Sequence, residues 1–375
     1  MTDTQNKLSQ IRSVLAQRGL DAVVIKRIAN FAWATDGAAN YVAIAAEMGA
    51  ASLLVTPDAQ YVLTSNIEAT RLAAEEPLET RGFAIRPGPW YEPSPILAEL
   101  RRGLRLGADA PQPDAVDLSD DFNRLRLTLT PAEGERFRRL GRVCARAMDA
   151  AIHEVRPGMT EYEIAGLLSN HTYARGAVPI VNLIATDERI FRFRHPLPTG
   201  KRLEKYAMLV LCGRADGLVA SITRLIHFGP LSDELRRKQV ACATVDATFL
   251  SRTRPEARIV DVFRAAVDAF AAVGFPDEWQ QHHQGGAAGY QAREYVGTFG
   301  STEVVSAGQA FAWNPSIAGF KCEDTILVGA SANEVLTETP GWPLVEVEVD
   351  GRTWGRPAIL EAALTNAPSA STMAL

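Results

Sequence analysis

One third of the way along the chain the residue pattern changes character, and that break constrains the fold more than any other feature. Before it lie short alternating elements. A helical stretch over 5–18 is followed by strand-like apolar runs at 22–25, 51–55 and 61–64, with turn residues such as Thr56-Pro57-Asp58 and Pro87-Gly88-Pro89 between them. After it, Thr130-Pro131-Ala132-Glu133 supplies a helix N-cap with proline in the first helical position. Phe137, Leu140, Val143, Cys144, Met148 and Ile152 then follow at helical spacing. At 375 residues the chain also exceeds what one hydrophobic core usually serves. We therefore expect two domains, a smaller α/β unit over 1–128 and a mixed α+β unit over 129–365. The Asp- and Pro-rich stretch 111–121 reads as the linker between them, and the small polar tail 366–375 as disordered.

Within the second unit, Arg156-Pro157-Gly158 stops the long helix and Thr160-Glu161-Tyr162-Glu163 opens another with a capping-type sequence. Helices are predicted over 232–250 and 257–273, and strands at 208–212, 221–227, 310–313 and 324–328.

Charge and leader signals narrow the function. The 39 Lys and Arg against 44 Asp and Glu give a formal charge of -5, and no basic block could track a phosphate backbone, so nucleic acid is not an expected partner. No apolar run reaches the roughly eighteen residues that suggest a membrane span. The polar N-terminus lacks a basic segment leading into an apolar one, so the expected location is the cytoplasm. Cys144, Cys212, Cys242 and Cys322 are scattered without a CxxC pair and read as reduced, buried small hydrophobes.

The most unusual local sequence is His282-His283-Gln284-Gly285-Gly286-Ala287-Ala288-Gly289-Tyr290. Its glycines allow backbone to approach a ligand closely, while the imidazoles, the amide and the phenol offer several donors and acceptors. The structural alternative is a tight hairpin that needs small residues for packing. His195, in Arg192-Phe193-Arg194-His195-Pro196, is either a proton-transfer group or a hydrogen-bonded structural residue. Glu323-Asp324 could orient a ligand or pair with Arg224. Arg293-Glu294 could bind a carboxylate or form a solvated pair. In the first domain, Arg27, Asn30, Trp33 and Asn40 make a polar and aromatic cluster in a loop-like stretch, with core packing as the alternative for Trp33.

Five segments taken in order resemble the landmarks of the pita-bread superfamily of metallopeptidases and creatinase. They are Arg156-Pro-Gly-Met-Thr-Glu, His195-Pro-Leu-Pro-Thr, the hairpin 209–224 ending in Thr223-Arg224, the stretch 282–294, and 308–326 with its Glu323-Asp324-Thr325. The resemblance implies a pita-bread domain preceded by a smaller α/β domain, as in creatinase and prolidase. In that superfamily two divalent ions are held by two Asp, one His and two Glu. Carried over by position, these sites fall on Leu211, Ser221, Gly286, Asn314 and Glu323, a set with a single charge, so no metal and no cofactor is expected.

The chain thus resembles creatinase, a metal-free hydrolase of a C–N bond. The resemblance implies His195 as acid/base, Glu323 positioning water or a substrate nitrogen, and Arg293, followed by Glu294, holding a substrate carboxylate. His282, His283, Tyr290, Asn314 and Ser221 are then expected to line the pocket. A homodimer is implied in which the first domain, through residues such as Trp33 and Arg27, reaches the partner's site. Ser221 replaces the carboxylate that contacts the guanidinium in creatinase, so the expected substrate is a different small carboxylated molecule. A lyase or deaminase could use the same groups. The competing readings are a catalytically inactive binding module and a metal-dependent Xaa-Pro-type peptidase with differently placed ligands.

Overall fold

The computed structural model describes residues 2–92 and 95–363, so the tail expected to be disordered lies outside the described residues. The first domain opens with helix Asp3–Arg18, held at its start by a Thr2/Gln5 capping box and closed by Gly19 at φ 62°. Leu8, Ile11 and Leu15 turn one face of this helix onto a six-stranded sheet. The central strand Ala22–Arg27 pairs antiparallel with Met48–Val55 and parallel with Leu106–Ala108. Its unbroken apolar run follows from burial on both faces. Val23 and Ile25 join the large core under the first helix, while Ala22 and Val24 meet Leu54, Leu63 and Leu106 on the opposite side.

Two expectations for this domain are corrected. The stretch 111–121 is no linker: Ala115–Asp117 is an edge strand parallel to Leu106–Ala108, and Ser119 starts a helix that runs to Arg126. Its acidic residues serve local turns instead, with Asp114 at φ 58° and Asp117 accepting from the Ser119 amide at 2.9 Å. The loop-like stretch around Trp33 contains helix Ile28–Ala34, whose apolar residues are buried.

The second domain begins as expected, with helix Pro131–Glu154 capped by a Thr130/Glu133 box and helix Glu161–Tyr173 by Thr160/Glu163. Each such cap contributes about 1 kcal/mol. Helices Asp233–Arg252 and Ile259–Ala272 complete the helical layer. Two sheets carry the site. One runs in the order Leu360–Ala362, Leu218–Phe228, Tyr206–Ala215, Val178–Thr186. The other runs Tyr295–Val296, Gly285–Ala288, Ala310–Trp313, Asp324–Val328, Asn333–Val335. They are stitched together where the Thr223 amide donates to the Glu323 carbonyl at 3.1 Å and the Ser221 amide to Thr325 Oγ1 at 2.8 Å. All four cysteines are buried and unpaired by disulfides. Among the described residues no helix is long and apolar enough to cross a membrane.

Candidate functional site

The stitched edge of the two sheets brings Glu323 under the side chains of the long hairpin. On strand Leu218–Phe228, Ser221 and Thr223 lie two apart and so share a face. Thr223 Oγ1 donates to Glu323 Oε2 at 2.6 Å, Lys321 Nζ lies 3.1 Å from the same oxygen, and Arg293 Nη2 donates to Oε1 at 2.8 Å. Burial pushes the Glu323 carboxyl up, but Lys321, Arg293 and the Thr223 hydroxyl outweigh it and hold the group at about 2. Glu323 is therefore a permanent carboxylate near neutral pH. One carboxylate against two cations leaves this cluster with an excess of positive charge.

Above it stand three imidazoles. His195 Nε2 and His282 Nε2 are 3.0 Å apart, and the His282 and His283 rings stack at 4.5 Å. One ring nitrogen from each of the three lies within 4.8 Å of the others. Burial, then the nearby Lys321 charge, lowers His282 to about 2, while burial and Arg293 lower His283 to about 4. His195 is lowered too, by burial first and Lys321 next. All three rings are therefore neutral at neutral pH, and His195 and His283 are exposed to solvent.

Orphaned polar atoms gather here. His282 Nδ1, Gln284 Oε1, Arg293 Nε and Asn314 Oδ1 are buried without a partner. Buried polar groups are nearly always satisfied, so four unpaired atoms in one neighbourhood single it out as a candidate binding place. Asn314 follows strand Ala310–Trp313, its amide donating to the Gln284 carbonyl at 3.0 Å. Ser221 accepts from Arg293 Nη1 at 3.2 Å and touches Cys212 Sγ at 3.3 Å.

The structure brings His195, His282, His283, Arg293, Glu323 and Ser221 together and holds other candidates in the scaffold. Glu294 is buried against Arg126 at 2.6 Å and accepts from the Tyr290 amide at 2.8 Å, which leaves it no free face for a substrate. Tyr290 points away to Glu133 Oε1 at 2.6 Å, in a network with Lys7 that ties the two domains. Trp33 packs edge-on to Phe122 in the first domain's core, and Arg27 is engaged with Glu47 and the Asp109 carbonyl. Lys321 is the site residue that sequence reasoning missed. Its signal was present: it stands two residues before Glu323, the spacing that puts extended side chains on one face.

Residues 135–330 match metallopeptidase family M24. An uncharacterized peptidase of Staphylococcus haemolyticus is 21% identical over 234 residues, 59% of this chain and 65% of the relative, so the chain spans just under two thirds of that relative's length. The prolidase from Pyrococcus horikoshii OT3 superposes with a TM-score of 0.76 at 19% identity, covering 89% of this chain and 98% of that one. The N-terminal domain of the FACT complex subunit SPT16 from Cicer arietinum (chickpea) superposes with a TM-score of 0.66 at 14% identity, covering 90% and 97%. The fold is the expected α+β pita-bread architecture with its smaller preceding domain.

Proposed function

This chain belongs to metallopeptidase family M24, and from that premise we propose that it is a metal-independent hydrolase cleaving a C–N bond of a small carboxylate-bearing substrate. The observation that carries the reading is the convergence of three neutral imidazoles on a buried carboxylate that is outnumbered by Lys321 and Arg293.

The donor set does not fit a pair of hard cations, which need cages rich in anionic oxygen. Leu211 is fully buried and offers no donor atom. A Cβ on Gly286 would stand 2.1 Å from the Tyr295 carbonyl oxygen, so backbone fills the place of any imidazole there. Glu323, the one carboxylate of the five positions, already has its two oxygens engaged by two cations and a hydroxyl.

In the proposed reaction a neutral His195 takes a proton from the attacking water and returns it to the departing nitrogen. Glu323, ionised, cannot donate a proton; it holds Arg293 and Lys321 in place. Their excess charge and the unpartnered Arg293 Nε face the substrate carboxylate. The proposal includes a homodimer, for which Val42, Ile44, Trp90 and Tyr91 on the first domain expose apolar surface.

The prolidase likeness favours a second reading, a metal-dependent Xaa-Pro peptidase. The test is turnover of carboxylated amides, ureas and proline dipeptides by protein whose metal content is measured. His195→Ala should reduce turnover by about 10²–10⁴-fold in metal-free protein. Turnover that tracks one or two equivalents of bound metal and disappears with chelator would replace the first reading by the second.

A further inference from the structure

The three imidazoles are packed closer than a structural role requires. Two stacked rings and a third edge-on would satisfy van der Waals contact in many orientations, yet here their ring nitrogens converge. Two of the rings, His195 and His283, are exposed. We infer that His195, His282 and His283 form a site for one divalent transition metal ion of nitrogen-ligand preference, such as zinc, built from residues other than the family's five metal positions.

The geometry is close to what such an ion asks. With Zn–N of about 2.0–2.1 Å, two nitrogens of a tetrahedral site stand about 3.3 Å apart. His195 and His282 are already at 3.0 Å, and one ring nitrogen of each of the three lies within 4.8 Å of the others. Ligation by His283 Nδ1 gives up only the long 3.3 Å bond it accepts from the Gly285 amide, and ligation by Nε2 leaves that bond in place. A set of three nitrogens suits zinc, cobalt, nickel or copper and excludes magnesium and calcium, which need oxygen. Lys321 and Arg293 lie close to the three rings. Their charges weaken the site relative to a structural zinc centre and favour an anion as the remaining ligand.

The consequence for turnover rests on the reading of His195 as the base. An ion on its lone pair removes the proton acceptor, so occupancy inhibits.

Binding itself is tested without activity. Metal-stripped full-length protein is titrated with cobalt(II), whose visible absorption reports a four-coordinate nitrogen site, and zinc is then added to displace it. About one equivalent should bind, zinc should abolish the band, and His283→Ala should weaken cobalt binding by more than about tenfold, the lower end of what loss of even an outer-shell partner costs. His153→Ala, changing an exposed histidine beside Asp149, should bind as the parent does. No band, or a band that His283→Ala leaves unchanged, overturns the site. A band accompanied by turnover that requires the metal keeps the site and overturns the metal-independent reading.

Discussion

Glu323 and Asp324 are neighbours in the chain and equally buried, yet they belong to opposite kinds of charge cluster. Asp324 accepts from Arg224 at 2.9 Å and Arg356 at 2.8 Å, and Arg356 in turn reaches Asp246 at 2.5 Å. Two carboxylates meet two guanidiniums, and Thr337 Oγ1 donates to Asp324 at 2.7 Å. Glu323 instead is the one carboxylate facing two cations, beneath neutral imidazoles. A balanced buried cluster answers its own charge and acts as a fastener. An unbalanced one with an exposed rim has charge left over for a ligand.

Breaking the balanced cluster should have the largest effect on folding. Arg356→Met leaves two buried carboxylates with one guanidinium and should cost about 3–5 kcal/mol, read as a lower urea midpoint at unchanged slope. A loss below about 1 kcal/mol would erase the distinction between fastener and site. Glu323→Gln comes next. Its folded-state value of about 2 lies below the ordinary 4.5, so its stabilisation is full above about pH 4.5 and is lost as pH falls towards 2. The variant should be less stable at pH 7 by on the order of 2–3 kcal/mol, with the gap to the parent closing on acidification. Parallel stability curves from pH 7 to 2 would show that Lys321 and Arg293 do not hold this carboxylate ionised. The smallest effect belongs to the surface. Arg27 and Glu47 are 2.6 Å apart with Glu47 77% exposed, so Glu47→Ala should change stability by less than about 0.5 kcal/mol and leave turnover intact. A fall in turnover with stability unchanged would bring the first domain into the site of a second copy.

Much of the scaffold was legible because its signals are local. The Thr130/Glu133 and Thr160/Glu163 boxes are three-residue couplings, and Val23 and Val24 show in their own pattern that both faces of their strand are covered. The stretch 111–121 misled because Asp and Pro mark turns whether or not the chain leaves the domain. His195, His282, His283, Arg293 and Glu323 were found through ordered motifs. Glu294 and Tyr290 were drawn into the pocket with them, since a glycine-rich run does not say which way its neighbours face. Arg126, the residue that claims Glu294, lies 168 positions away.

What the sequence determined by itself was the capped helices, the strands with a clear side-chain period and the missing side chain at Gly286, because these act within a few residues. Only the tertiary structure decided which charges balance. Glu323 draws its partners from Arg293 and Thr223, 30 and 100 positions away, while Asp324, which opens the strand that follows, pairs with Arg224. Electrostatic energy depends on distance in space and on burial, and neither can be read until the chain has folded.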